Sequence, residues 1–283
     1  WDIQRMGPST GLPTRVSQGD VMMVYYLGHG DTKQVVLFPA SMKECFEFGW
    51  HAFDLADRLQ APIFVLSDLD LGMNLWMTEP FDYPERPMDH GKVLSAEDLQ
   101  RLGGFERYGD PDGDGIGPRT LPGTEHPRAA YFTRGSGHNA KAIYTEKPDE
   151  WSANLERLER KHDHARTLVP APIVDEVAGA TIGLIAYGST DPGIVEARTM
   201  LAARGIKTSY LRIRALPTTA AIDAFLARYP RTYVVENNFD GQMAKVLRAE
   251  LPAHAARITS VTHCDGLPLT ARWIAQSILE QER

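Results

Sequence analysis

Cysteine is nearly absent from this sequence: Cys45 and Cys264 are the only two among 283 residues. They stand far apart and form no C-x-x-C pair, which argues against a disulfide framework and against a zinc or iron–sulfur site built by this chain alone. Two buried thiols in a reducing cytoplasm are expected instead. Long apolar runs are missing as well, since nothing approaches the roughly eighteen residues of a membrane span. No basic-then-apolar leader opens the chain, and a start at Trp1 without an initiator Met suggests a piece of something longer. Basic charge is also scarce. Thirty Lys and Arg face 37 Asp and Glu, giving a net charge of -7, and the pI is near 5.7. A general nucleic-acid binder would need a basic face. A nucleophile elbow, a Walker loop, H-E-x-x-H and G-x-G-x-x-G do not occur, so the chain holds no self-contained catalytic kit. What is present is an ordinary globular composition, long enough for two domains.

The densest local signal is Gln4-Arg5-Met6-Gly7-Pro8-Ser9-Thr10-Gly11-Leu12-Pro13-Thr14. It packs two glycines, two prolines, three hydroxyls and one guanidinium into eleven residues. The prolines and Gly11 speak against a regular helix or a central strand and for a shaped loop. Backbone N–H groups, hydroxyls and a planar cation together suit a carboxylate or phosphate. The alternative is a turn-rich connection with no ligand.

Downstream, 20–26 is apolar and could be helix or strand. Residues 34–38 and 62–67 read as short buried strands on either side of a helix over 41–59, which opens with a Ser41/Glu44 capping box. Strand, helix and strand in so short a span make a βαβ unit and a parallel sheet. From 68 to about 148 the pattern degrades, apart from a short capped helix at Ser95, and such a stretch usually wraps a neighbour or covers a site. A charged helix follows over 151–164. From about 178 four strand–helix pairs alternate, with strands at 181–187, 207–213, 232–236 and 258–263. They describe a second doubly wound α/β domain, in which Asp191 is expected to cap a helix running from Pro192 to Gly205.

Three lookalikes carry no chemistry. Asp110-Pro-Asp112-Gly-Asp114 imitates a calcium loop, but Leu121 stands where a bidentate Glu is required. Gly113-Asp114-Gly115 with Asn139 imitates a magnesium-diphosphate signature without its buried strand or paired asparagines. His162 and His164 lie two apart on a helix and point about 200° away from each other, so they cannot share one ion. His29, between two glycines of a turn, is either a possible ligand contact or a turn histidine bonded to a carbonyl.

Arg5 through Thr14, with Gln18-Gly-Asp, Gly28-His-Gly-Asp, the Leu37-Phe-Pro strand end, Asp114-Gly-Ile-Gly-Pro-Arg119-Thr-Leu-Pro-Gly123 and Glu236-Asn-Asn-Phe-Asp-Gly241-Gln-Met, resembles the α subunit of 2-oxoacid:ferredoxin oxidoreductases, the 2-oxoglutarate type above all. The likeness covers nearly the whole chain. It implies an α/β fold: a partial thiamine-diphosphate pyrimidine-binding domain over 1–80 (its second half), an irregular wrapping segment and connector helix over 81–175, and a transketolase C-terminal-like α/β domain with a mostly parallel sheet over 176–283. It implies thiamine diphosphate shared with a β subunit, which would carry the diphosphate-binding domain, Mg2+ and a [4Fe-4S] cluster. Further partners would be the N-terminal part of the α subunit, ferredoxin, the 2-oxoacid and coenzyme A, with no nucleic acid and no membrane.

The implied reaction is cytoplasmic oxidative decarboxylation of a 2-oxoacid to acyl-CoA and CO2. By motif position Arg5 would bind the substrate carboxylate, Thr14 would lie near the substrate, and Ser9 and Thr10 would shape the pocket. The family's Tyr-Pro-Ile-Thr-Pro segment and cofactor-activating glutamate are not in this sequence, so the site is expected to be shared between chains. Pyruvate or a branched-chain 2-oxoacid is the rival substrate, and a non-catalytic assembly module the rival role.

Overall fold

The computed structural model describes residues 1–283 as two compact units. The first comprises Trp1–Ala52, Ile63–Tyr83 and Val169–Arg283, and the second Phe53–Pro62 and Pro84–Leu168.

The first unit holds two five-stranded sheets. In chain order its opening elements are strands β1 (Asp2–Met6) and β2 (Leu12–Val16), helix α1 (Val21–Tyr25), strand β3 (Val35–Leu37), the start of helix α2 (Met42–Leu59), strand β4 (Ile63–Asp68) and helix α3 (Leu69–Met73). The order β2-β1-β4-β3 is completed by β8 (Ala215–Leu216), a short strand from the C-terminal half. β1, β4 and β3 are mutually parallel, while β2 and β8 run antiparallel at the two edges. The second sheet is built from β5 (Ile173–Asp175), β6 (Ile182–Tyr187), β7 (Thr208–Ile213), β9 (Arg231–Glu236) and β10 (Ile258–Thr262). Its order is β10-β9-β6-β7-β5, with only β5 antiparallel. Helices α6 (Asp191–Ala202), α7 (Ala220–Arg228), α8 (Gln242–Glu250) and α9 (Ala271–Gln281) connect or follow these strands.

Two-residue periodicity explains the packing. On β6, Ile185 and Tyr187 face one core while Ile182, Leu184 and Ala186 face another, and all five are buried. The first core is common to both sheets: Val36, Leu66 and Leu216 from one meet Ile185, Ile213 and Val234 from the other, with Val24 and Tyr25 of α1 among them. The second core lies under α6 and α9, through Ile194, Leu201, Ile274 and Ile278. A strand buried on both faces reads as a continuous apolar run, and for this reason these strands were legible in the sequence.

A buried ion cluster adds a polar tie between the sheets. Glu44, in the first turn of α2, accepts from Arg212 Nη1 at 2.6 Å and Nη2 at 2.9 Å, from Arg214 Nε at 2.8 Å and from the Ala40 amide at 2.9 Å. The expected capping box is therefore half formed. Ser41 Oγ accepts from the Glu44 amide at 3.2 Å, but the glutamate side chain is turned onto the arginines of β7 and its continuation. Asp191 likewise does not cap α6 through its side chain, because its carboxylate accepts from Tyr210 Oη at 2.8 Å.

The opening stretch is the main correction. It is a β-hairpin, not a loop throughout, and β1 lies inside its sheet. The prolines are tolerated because Pro8 falls in the turn and Pro13 on the edge strand β2, where no ladder donor is needed on the outer side.

The second unit contains the end of α2, the capped helix α4 (Ala96–Leu102) and helix α5 (Pro148–Ala165). Its irregular stretches are held by polar contacts. Ser95 and Asp98 form a full capping box, Lys92 bridges Asp112 at 2.8 Å and Asp114 at 2.7 Å, and Arg119 pairs with Asp57 at 3.0 Å. The carboxylates that imitated a calcium loop are thus occupied by cations of the chain.

Burial alone would raise the Glu44 carboxyl, but hydrogen bonds and charge from Arg212, with the Ala40 amide and Arg214, bring it below its ordinary 4.5. A depressed carboxylate contributes stability that is complete above pH 4.5 and is lost as pH falls through the folded value. Glu44→Ala leaves Arg212 buried without its carboxylate and is expected to cost about 3–5 kcal/mol in denaturant unfolding. Glu44→Gln is expected to flatten the acid limb of the stability–pH curve. Unchanged midpoints in both variants contradict this role.

Candidate functional site

The candidate site is built on the β1–β2 hairpin, at the carboxyl ends of the parallel strands, where open α/β sheets commonly present ligand-binding loops. In β1 the buried side chain is Gln4, while Ile3 and Arg5 face outward. Arg5 is opposite Val16 and Met6 opposite Leu12, and the register shift between these pairs places extra residues, Pro13 to Arg15, on β2. Such a bulge re-aims side chains at a strand end. Arg5, Ser9, Thr10 and Thr14 are all exposed, and the Arg5 guanidinium takes part in no ion pair within the chain. The turn is tight. Gly7–Pro8 is cis and Ser9 adopts a φ of 55°. The Gly11 amide donates to Pro8 O at 3.2 Å. A side chain at Gly11 would stand 3.1 Å from Met6 O and 3.3 Å from two further carbonyls.

The hairpin rests on the segment that follows β10. The Val16 amide donates to Gly266 O at 3.1 Å, and Cys264 Sγ lies 3.2 Å from Met6 Sδ. Gly266, at φ 87°, is required there, since a Cβ would come within 2.8 Å of Arg15 Cβ. Both cysteines are free and half-buried, and burial raises both thiols, that of Cys45 to about 11.

Beneath the hairpin lies a buried polar knot. Gln18 Nε2 donates to Tyr187 O at 3.1 Å, and its Oε1 accepts from Thr190 Oγ1 at 3.2 Å and the Asn237 amide at 3.1 Å. Asn238 Nδ2 donates to Gln18 O at 3.1 Å and to Glu236 Oε2 at 2.8 Å. Glu236 is fully buried and also accepts from Tyr187 Oη at 3.2 Å. The knot has a structural logic set by Gly241. This residue is the N-cap of α8 and has no side chain to cap with, while the first four N–H groups of a helix need partners. Asn238 Oδ1 accepts from the Gly241 and Gln242 amides at 2.8 and 3.3 Å. Glu236 takes the next two, Met243 at 2.7 Å and Ala244 at 2.9 Å. All four donors are satisfied from two residues of the preceding strand end.

Asp68 plays the same part for α3, accepting from the Asp70 and Leu71 amides at 3.0 and 3.2 Å, and from Ser189 Oγ at 2.6 Å. Gln4 ties the hairpin to this assembly: its Nε2 donates to Ser67 O at 3.2 Å and its Oε1 accepts from the Asp20 amide at 2.9 Å. Burial raises the carboxyls of Asp68 and Glu236 against these donors. Burial and the neighbouring Asp68 push Asp70 up to about 6.

The structure gathers Arg5, Ser9, Thr10 and Thr14 on one hairpin and leaves His29 elsewhere. The Gln34 amide donates to Tyr25 O at 2.9 Å, so the turn carrying exposed His29 leads into the amino end of β3. That strand is level with the start of β4, while Gln4 is level with Asp68 at its end. His29 and Arg5 thus lie toward opposite ends of the sheet. Sequence reasoning missed Tyr187, Asp68 and Ser189 altogether. Glu236 offered a signal, being an acid that ends an otherwise apolar strand.

Comparison with known proteins accords with this architecture. Residues 1–95 match the family described as pyruvate flavodoxin/ferredoxin oxidoreductase, thiamine diphosphate-binding, so the hairpin domain is of the thiamine-diphosphate class. The chain is 28% identical over 281 residues to 2-oxoacid:ferredoxin oxidoreductase 2, subunit alpha, of Aeropyrum pernix, covering 97% of this chain and 42% of that protein. It is 29% identical over 283 residues to 2-oxoglutarate oxidoreductase subunit KorA of Mycobacterium tuberculosis, covering 98% and 41%. A solved 2-oxoglutarate:ferredoxin oxidoreductase from Magnetococcus marinus, with 2-oxoglutarate, coenzyme A and succinyl-CoA bound, superposes with a TM-score of 0.87 at 31% identity, over 100% of this chain and 48% of that one. Over nearly its whole length the chain is thus similar to alpha subunits of 2-oxoacid:ferredoxin oxidoreductases. It spans about two fifths of the length of the two curated relatives.

Asn238→Ala removes the acceptor for two amides at the start of α8 and is expected to cost about 1–3 kcal/mol. Native-state hydrogen exchange checks it. Protection at Gly241 and Gln242 is expected to fall selectively while β9 and β10 stay protected, and unchanged exchange at these two amides contradicts the capping role.

Proposed function

We propose that this chain forms one wall of the active site of a 2-oxoacid:ferredoxin oxidoreductase, with 2-oxoglutarate as substrate, coenzyme A as acyl acceptor and ferredoxin as electron acceptor. The observation that carries the reading is Arg5. Its guanidinium is exposed, in no ion pair of the chain, and fixed to the end of a parallel strand by a hairpin whose turn offers the Ser9 and Thr10 hydroxyls and whose second strand offers Thr14. The relatives from Aeropyrum pernix and Mycobacterium tuberculosis, a 2-oxoacid:ferredoxin oxidoreductase subunit and a 2-oxoglutarate oxidoreductase subunit, support this reading.

In this reading Arg5 binds the 2-oxoacid carboxylate as a bidentate fork and fixes the orientation of the bond to be broken. Thr14 lies beside the substrate, and Ser9 and Thr10 shape the pocket and donate to substrate oxygens. Ile3, an exposed apolar side chain on the same face of β1 as Arg5, suits contact with a flat ring. Thiamine diphosphate, when bound, supplies a carbanion-stabilising electron sink. No group of three or more His, Cys, Asp or Glu residues in this chain is arranged to hold a metal ion. Mg2+, the diphosphate-binding residues and the [4Fe-4S] cluster are assigned to a β-subunit partner, and the rest of the pyrimidine domain to the N-terminal part of the α subunit. The organisation into 1–80, 81–175 and 176–283 is part of the proposal.

The test is 2-oxoacid-dependent dye reduction by the complex assembled with its partner chains. Losing a charge-assisted contact worth about 1.5–3 kcal/mol lowers kcat/KM by roughly 10- to 150-fold. Arg5→Ala is expected to show that loss for 2-oxoglutarate. Turnover across pyruvate, branched-chain acids and 2-oxoglutarate separates substrate choice from carboxylate binding, because every acid shares the carboxylate. Activity retained in Arg5→Ala contradicts its role, and a preference for another acid in the unaltered complex overturns the substrate assignment.

A further inference from the structure

The second unit contains a cavity of about 300 Å³ that belongs to no part of the hairpin site. It lies between α5, the end of α2 and the loops carrying Arg107 and Arg134. Arg107, Arg134, Arg157 and Lys161 line it, and no Asp or Glu does. Like charges at this density repel one another, more strongly where water is displaced.

The hydrogen bonding shows which cations are committed elsewhere. Arg157 donates through Nη1 to Gly115 O at 2.8 Å, and through Nε and Nη2 to Asn154 Oδ1 at 3.2 and 2.9 Å. Lys161 has only a long contact, 3.4 Å to Gln60 O. Arg107 lies over the rings of Tyr108 and Tyr131, at 5.0 and 5.5 Å, and its buried Nε has no partner. His138 is 9% exposed. Its Nδ1 stands 3.0 Å from Ser136 O, so Nδ1 carries the proton and donates to that carbonyl, and its buried Nε2 has no partner. Buried polar atoms without partners are uncommon in folded proteins, and here two occur in one cavity. The nearby carboxylate of Asp110 is engaged by Arg160 at 2.9 Å and by the Gly115 amide at 2.8 Å. Burial, then the charges of Arg157 and Arg107, pushes Lys161 down to about 8, while the Asp110 carboxylate acts on Arg157.

Two glycines allow close packing at the cavity: Gly117 in its lining and Gly115 just before it. At Gly115 a Cβ would sit 2.3 Å from Arg157 O and 2.4 Å from the Lys161 amide nitrogen, and at Gly117 2.3 Å from Arg107 O. The Asp114-Gly-Ile-Gly string is thus the segment that can lie close against α5 at the two cationic positions.

We propose that this cavity binds a phosphate-bearing anion, with Arg107 and Lys161 as its donors and the charge of the committed Arg157 beside them. Several convergent cations suit a ligand of two or more charges better than a single carboxylate. Guanidinium forks match phosphate oxygens in geometry. The volume exceeds what one inorganic phosphate fills, so a diphosphate or a phosphomonoester with a small substituent is the class that fits. The site is independent of the Arg5 reading and can stand or fall without it.

The experiment is isothermal titration of the full chain with inorganic pyrophosphate and, separately, inorganic phosphate at low ionic strength. Saturable one-to-one binding of pyrophosphate is expected, with phosphate weaker. Arg107→Gln and Lys161→Met are each expected to weaken it by about tenfold or more. Arg107 is chosen because no protein hydrogen bond depends on its side chain, and thermal melts of both variants establish that they fold. No saturable heat with either anion overturns the proposal. So does binding retained in both folded variants, or binding lost in Arg5→Ala and kept in Arg107→Gln, which would locate the anion at the hairpin.

Discussion

Helix α8 begins at a glycine, and much of this structure is arranged around the need that creates. Gly241 has no side chain, so the four free amides of the first turn must be met by acceptors from elsewhere. Glu236 and Asn238 meet them, and a glutamate at the positive end of a helix is also favoured by the helix dipole. Because Glu236 is buried, it must be surrounded by donors in turn, and Tyr187 and Asn238 supply them. Gln18 then closes the knot from the other sheet. A requirement local to one helix start thus ties the hairpin's trailing segment to the carboxyl ends of β6 and β9. The strand that carries Arg5 is held in register on the same side, through Gln4 and the Asp20 amide.

This explains why strings more than two hundred positions apart in the chain act together. Gln18-Gly19-Asp20 and Glu236-Asn-Asn with Gly241-Gln242 are two halves of one set of hydrogen bonds: Gln242 Oε1 accepts from the Met22 amide at 2.9 Å, and its Nε2 donates to Gly19 O. The Glu44–Arg212–Arg214 cluster ties the same two sheets at a second place. A carboxylate alone at Glu44 or Glu236 would be expelled by its desolvation cost. Each persists because its oxygens are met by several donors.

Legibility in the sequence followed burial. β3, β4 and β6 stood out because strands covered on both faces are largely apolar, and β7, β9 and β10 because their apolar stretches alternate with helices that showed stripes and a glycine stop. β1, β2, β5 and β8 did not. β1 alternates around Gln4 and Arg5, β2 carries a proline on an edge, and β5 and β8 are three and two residues long. The Gly/Pro/Ser signal correctly marked a shaped segment but hid the strands on either side of its turn. Arg5, Ser9, Thr10 and Thr14 were legible as one local cluster of a guanidinium and hydroxyls, and the structure carries all four exposed on one hairpin. The support beneath them was not, because a buried Gln–Glu–Asn–Tyr knot is made of long-range pairings that no local pattern encodes. The cationic cavity was equally hidden: its donors come from two loops and a helix whose spacing has no periodicity.

The central claim is that the hairpin presents Arg5 to the carboxylate of a 2-oxoacid. A structure of the assembled complex with a 2-oxoacid bound tests it most directly. The account predicts both carboxylate oxygens within about 3 Å of the Arg5 guanidinium nitrogens, with Thr14 beside the substrate and Gln18, Glu236 and Asn238 bonded as described. A carboxylate held by other residues, with the Arg5 side chain directed into solvent, would contradict it.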